Sequence, residues 1–91
     1  MKVTLTDEAI LDIQRLGAWL IEKNPSAAVK AIAAIRRTVR SLDRFAERGY
    51  PMGDGVRHLR VPFGKRGYVV RYEVTPNEVV VSRIFHGLED R

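Results

Sequence analysis

The chain contains no cysteine. That excludes a disulfide framework, a thiolate nucleophile and a cysteine-ligated metal site. Its only two histidines, His58 and His86, are too few by themselves for a zinc site. No apolar run approaches the ~18 residues needed to cross a bilayer. The opening residues 1–6 are too short and polar for a signal peptide. A soluble cytoplasmic protein without a cofactor is the expectation. With 91 residues there is room for one domain, spanning 1–91, and one modest core. The 45% apolar and 30% charged content is that of a globular chain.

Acidic groups are scarce where basic ones gather. The chain carries 16 Lys+Arg against 11 Asp+Glu, a net +5. Residues 30–71 hold Lys30, Arg36, Arg37, Arg40, Arg44, Arg48, Arg57, Arg60, Lys65, Arg66 and Arg71. Only Asp43, Glu47 and Asp54 oppose them there. Arginine dominates, and its planar fork suits carboxylates and phosphates. Such a surface attracts nucleic acid or an acidic protein partner. A solvated helix face with ordinary salt bridges is the simpler account of any single arginine.

The hydropathy pattern predicts an α+β order. Val3 and Leu5 alternate with polar neighbours, as in a short strand. Thr6 reads as an N-cap, followed by Asp7 and Glu8 in a first helical turn. Ala9, Ile13, Leu16 and Leu20 then recur at helical spacing. Asn24-Pro25 reads as N-cap and first residue of a second helix. Its stripe is Ala28, Ile32, Ile35, Val39 and Leu42, ending near Phe45, and the opposite face shows Lys30, Arg36, Arg37, Arg40 and Arg44. The short link implies an antiparallel hairpin. Residues 49–55, rich in glycine and proline, read as a loop. Period-two runs at 57–61, 68–74 and 79–85, joined by turns at 63–67 and 75–77, predict a three-stranded antiparallel meander. The first strand is expected to join that sheet at an edge.

A two-helix hairpin covers only one face of such a sheet, so the other face meets water or a partner. Alternation groups Tyr68, Val70, Tyr72 and Val74 against Val69, Arg71 and Glu73. It groups Val79, Val81, Arg83 and Phe85 against Val80, Ser82 and Ile84. The open face is expected to carry Arg60, Arg71 and Arg83, subject to strand register. Arg83 is expected to pair with Glu73 across strands, and Trp19 to lie in the core between hairpin and sheet.

Three segments carry a family resemblance. "DEAILDIQRLGAWLIEKNPSAA" has an Asp-x-x-Ile/Leu pattern and an Asn-Pro helix turn. "RHLRV" follows a Gly/Pro-rich loop, and "YVVRYEVTPNEVVVSRIFHGLED" closes on Arg83-x-x-His86-x-x-x-Asp90. In this order and at this length they resemble the ParE/RelE superfamily of type II toxin–antitoxin toxins, closer to the ParE branch. The resemblance implies a RelE/ParE-like fold and a cognate, ParD-like antitoxin whose C-terminal segment wraps the toxin in a hetero-oligomer. It also implies that the free toxin poisons DNA gyrase. Arg36, Arg37, Arg40, Arg44, Arg57 and Arg60 are the expected antitoxin contacts. Arg71, Arg83, His86, Glu89 and Asp90 are the expected target contacts.

RelE-like relatives instead cleave mRNA on the ribosome. Attack by a 2′-hydroxyl on the adjacent phosphate needs a general base, a general acid and cations on the developing charge. Arg60, Arg83 and His86 are the candidates for that alternative, since histidine titrates near neutrality. Residues 31–64 contain no lysine, Gly87 follows His86, and no tyrosine follows Tyr72. RelE-like enzymes tend to carry lysines on the early meander strand and a C-terminal tyrosine, so these departures favour the gyrase reading. A non-toxic basic binding module is the third reading.

Overall fold

The computed structural model describes residues 1–89. Its elements are β1 (Lys2–Leu5), α1 (Asp7–Lys23), α2 (Pro25–Ser41), β2 (Tyr50–Gly53), β3 (Val56–Val61), β4 (Tyr68–Val74) and β5 (Glu78–His86). They form an α+β fold with one five-stranded sheet in the order β1-β5-β4-β3-β2. β1 runs parallel to β5 at one edge, and the other pairs are antiparallel.

Both helices start where side-chain caps place them. The Thr6 hydroxyl accepts from Ala9 N at 3.1 Å, and Asn24 Oδ1 accepts from Ala27 N at 3.1 Å. Each satisfies a backbone donor that the first helical turn leaves without a partner. Thr6 also fastens the start of α1 to β5: its N–H donates to Val81 O at 3.0 Å and its hydroxyl to Ser82 O at 2.9 Å. α2 ends at Ser41, earlier than its apolar stripe suggests, and residues 42–44 continue as a turn.

The helix hairpin covers one face of the sheet. Ala9, Leu16, Ala31, Ile35, Val39 and Leu42 pack there on Leu59, Val61, Tyr68, Val70, Tyr72, Val79, Val81 and Ile84. Small residues bring the helices together. Gly17 lies inside α1, and a Cβ there would meet Ile32 Cδ1 at 3.5 Å, an ordinary contact. Glycine costs roughly 0.5–1 kcal/mol relative to alanine inside a helix. Gly17→Ala is therefore expected to raise the unfolding free energy measured by urea denaturation by about that amount, and a lowered midpoint would contradict the packing.

Three sequence expectations are corrected. The stretch read as a loop contains β2, so the meander has four strands. Tyr50, Pro51 and Gly53 pair with His58, Arg57 and Val56 across a bulge. Pro51 is tolerated because β2 is an edge strand, where a missing N–H breaks no second ladder. Trp19 is 60% exposed at the flank of α1, with the Lys23 ammonium 5.7 Å from its ring centre, instead of in the core. Arg83 pairs with Asp12 of α1 rather than Glu73.

Candidate functional site

The sheet face opposite the helices is shaped by a single-residue irregularity. Arg71 pairs with Arg83 and Tyr72 with Val81, so Ser82 is extra in β5. Such a bulge breaks the period-two alternation. It turns Ile84 inward beside Val79 and Val81 and leaves Arg83 on the open face. The register then aligns Tyr50 of β2, His58 of β3, Arg71 of β4 and Arg83 of β5 in one row across the sheet. The next row holds Arg60, Val69 and Phe85, and the row on the other side holds Val56, Glu73 and Val80.

Contacts along the row fix its charge state. Arg71 Nε donates to His58 Nε2 at 3.2 Å, which requires an unprotonated acceptor nitrogen. The His58 ring also meets Phe85 edge-on, with centroids 5.7 Å apart. Burial, helped by the Arg71 charge, pushes the His58 pKa below its usual value. The folded state therefore resists protonation more than the unfolded chain. The stability this arrangement gives is present above the ordinary histidine value near 6.5 and is lost as pH falls through the lowered one. An NMR titration of the His58 ring is expected to show a midpoint below 6.5, and a midpoint above it would refute the contact.

Arg83 is held from the side. Asp12 is 4% exposed, and its carboxylate accepts from Arg83 Nε at 2.7 Å and Nη2 at 3.0 Å. It also accepts from the backbone N–H of Ile84 at 2.9 Å. β1 stops opposite Val81, so Ile84 N lies on a stretch of β5 edge without a strand neighbour, and Asp12 stands in for one. Burial alone would raise the Asp12 pKa. The hydrogen bonds from Arg83 and Ile84 and the Arg83 charge outweigh it and hold the carboxyl below its ordinary value. Glu89 repeats the device further along, accepting from His86 N at 2.8 Å while Arg15 Nη1 bonds its other oxygen at 2.5 Å.

The residues singled out from sequence fall into separate groups. Arg71 and Arg83 share the row just described. Arg60 lies one row away on the same face and donates to Arg66 O at 3.0 Å. His86 pairs with Tyr68, whose side chain is in the core, so it belongs to the opposite side of the sheet from Arg60 and Arg83. Its ring stands edge-on to Tyr68 at 5.4 Å, and its Nδ1 accepts from Leu88 N at 3.1 Å. Glu89 is engaged by Arg15, and Asp90 lies outside the described residues.

The expected antitoxin contacts divide as well. Arg36, Arg37 and Arg40 line one exposed side of α2 with Val29, Ile32 and Ala33. Arg36 and Arg40 also border a cavity of about 320 Å³ with Leu5, Ile10, Ile13 and Val39. Arg44 sits in the turn after α2. Arg57 donates to Glu47 O at 3.0 Å and Gly49 O at 2.8 Å, and so braces the chain leading into β2. Sequence reasoning missed Asp12 and Tyr50. The available signal for Asp12 was a carboxylate in the apolar stripe between Ala9 and Leu16.

With this geometry in place, similarity to other proteins becomes informative. The family model described as ParE toxin of type II toxin-antitoxin system, parDE, matches residues 3–91. The chain is 37% identical over 89 residues to Toxin RelE1 of Caulobacter vibrioides, spanning 98% of this chain and 96% of that protein. It is 39% identical over 89 residues to Toxin RelE3 of the same organism, spanning 98% and 97%. A chain of the solved "Chromosomal ParDE TA system from P. aeruginosa" superposes with a TM-score of 0.79 at 23% identity, covering 94% of this chain and 95% of that one. That likeness concerns the fold.

Proposed function

The chain belongs to the ParE toxin family of type II toxin–antitoxin systems, and from that premise we propose that it inhibits DNA gyrase and is neutralised by a cognate antitoxin. One observation carries the choice of gyrase over message cleavage. The three groups that the sequence offers for RNA cleavage, Arg60, Arg83 and His86, are not assembled. Arg60 and Arg83 lie on the open face, while His86 pairs with Tyr68 toward the core side. Arg83 is also bound at two donors by Asp12. A general acid or base must reach the proton it moves, within hydrogen-bond distance or through one water. This arrangement suits docking on a macromolecule better than proton transfer.

The antitoxin is read as an acidic amphipathic segment. Arg36, Arg37 and Arg40 supply cations beside the apolar surface of Val29 and Ile32, and charge complementarity of this kind sets partner choice and association rate. Arg44 continues that positive end. Arg57 and Arg60 are tied to backbone carbonyls elsewhere and are proposed as lesser contacts.

One feature favours the RNA-cleaving alternative. His58, held uncharged, lies in the row with Arg71 and Arg83, where it is a candidate base beside two cations. The deciding experiment runs supercoiling by purified gyrase beside cleavage of ribosome-bound message, with one preparation of toxin. Lost supercoiling with intact message is the expected result. Full supercoiling at a large molar excess of toxin would overturn the gyrase reading, and cleavage abolished by His58→Ala in a folded protein would replace it.

A further inference from the structure

On the helix side of the sheet, away from the open face, lies a cavity of about 390 Å³. Leu16 and Trp19 of α1 form one wall, and Tyr68 of β4 with His86 of β5 form the other. The ion pair between Arg15 and Glu89 closes it. The chain after β5 is turned to make that closure. Gly87 N donates to Gly67 O at 2.9 Å, and a Cβ on Gly87 would collide with Arg66 O, so the tail passes the 63–67 hairpin where only glycine fits. Tyr68 brings a polar group that packing does not explain. The residue is 3% exposed, and its hydroxyl makes no hydrogen bond among the described residues. No fully buried side-chain oxygen there lacks a partner, so the hydroxyl is the part of Tyr68 that stays accessible, and the cavity is where it opens. Burial, and then the Glu89 charge, raise its pKa, so it remains a donor at neutral pH. Phenylalanine would fill the same core space without a polar group to satisfy.

We propose that this cavity binds a small neutral aromatic molecule carrying one hydroxyl or N–H group, independent of how the gyrase reading fares. Ligand pockets measure about 300–1,000 Å³, and this one, at the small end, suits a compound of one or two rings. Trp19 is 60% exposed on its wall, so a ligand ring would cover apolar surface that the fold leaves wet. Facing it, Tyr68 and His86 stand edge-on with centroids 5.4 Å apart, and Phe63 packs on Tyr68 at 6.0 Å, which fixes the Tyr68 ring. Aromatic rings prefer offset or edge-on contacts at about 4.5–7 Å, and a planar ligand between Trp19 and Tyr68 makes them on both sides. The Tyr68 hydroxyl then gains the hydrogen-bond partner it lacks. Neutrality follows from the mouth of the cavity. Arg15 is already paired with Glu89 and Asp12. A charged ligand has to compete with that pairing, whereas a neutral one leaves it intact.

The probe is 4-methylphenol, titrated into the full chain and followed by NMR at the Trp19 indole N–H, a single signal because the chain has one tryptophan. Saturable shifts with a Kd of about 0.1–3 mM are expected, the range open to so few atoms. Toluene, which lacks the hydroxyl, should bind about fivefold more weakly, the worth of one hydrogen bond. Tyr68→Phe should bring 4-methylphenol down to the toluene value and leave toluene unchanged, a selective loss that a merely structural tyrosine does not produce. Its melting temperature should match that of the parent, since the hydroxyl has no hydrogen bond to lose. Trp19→Ala should weaken both ligands about fivefold. Benzoate and benzylammonium should each bind less tightly than 4-methylphenol. No saturation by about 10 mM, equal loss of both ligands in Tyr68→Phe, or a charged probe binding as tightly would each overturn the site. N-acetyl-tyrosinamide binding more tightly than 4-methylphenol would also overturn it, and would assign the cavity to a tyrosine side chain of a protein partner. None of these readouts involves gyrase, so this inference and the gyrase reading fail separately.

Discussion

Asp12→Ala is expected to lower the melting temperature by roughly 10–20 °C. The side chain accepts hydrogen bonds from Ile84 N, from Arg83 at two donors and from Arg15. Its removal leaves a buried backbone donor unpaired, which costs about 1–3 kcal/mol. Arg83 is about a third exposed, so water recovers part of its charge and that loss stays near the value of a surface pair. Together they amount to about 2–3 kcal/mol, and each kcal/mol shifts the midpoint of a domain this size by about 4–8 °C. Asp12→Asn keeps an acceptor for Ile84 N and should lose about half as much. Acid titration separates charge from shape. The lowered Asp12 pKa means its charged form contributes stability above the ordinary carboxyl value near 3.8, lost as pH falls through the lowered one. Asp12→Asn should lack that loss. Thermal melts of Asp12→Ala within 2 °C of the parent would show that the clasp contributes nothing.

What could be read in the sequence was what is settled locally. Thr6 and Asn24-Pro25 announce helix starts because capping is decided within three residues. The stripe from Ala28 to Leu42 shows which side of α2 is buried because helical spacing is regular. The remainder depends on partners far along the chain. One extra residue at Ser82 decides whether Arg83 faces the core or the open side, and no periodicity marks it. Asp12 looks like a polar interruption of a helix stripe until Ile84, 72 residues away, supplies the donor. Tyr50-Pro51-Met52-Gly53 has turn composition, and only pairing with β3 makes it a strand. Trp19 stays outside because burial of a large apolar side chain is a tendency, and a 91-residue chain has little interior. For the site, the cations Arg60, Arg71 and Arg83 were legible as types, while their alignment with His58 and Tyr50 is a property of register.

Tyr72→Ala is expected to leave the protein largely unfolded at physiological temperature, because one side chain serves two packing roles. The ring is fully buried among the core residues, and truncating a buried aromatic costs about 3–5 kcal/mol. Its hydroxyl oxygen accepts from Gly49 N at 2.9 Å, fixing the segment that leads into β2. A domain this small has a total stability near the low end of about 5–15 kcal/mol, so the larger estimate removes most of it. Tyr72→Phe isolates the second role. It leaves the ring in place, orphans Gly49 N, and should cost about 1–2 kcal/mol. Gly49 is the matching half of this contact, since a Cβ there would fall 2.5 Å from the Tyr72 hydroxyl oxygen. Gly49→Ala should therefore destabilise less in the Tyr72→Phe background than in the parent, and a double-mutant cycle by urea denaturation measures the difference. Strict additivity would mean that the two residues do not touch. The consequence reaches the open face: β2 is anchored from beneath by Tyr72 through Gly49, and Tyr50 is the next residue. Tyr72→Phe should thus loosen the start of β2 without altering Arg71 on β4.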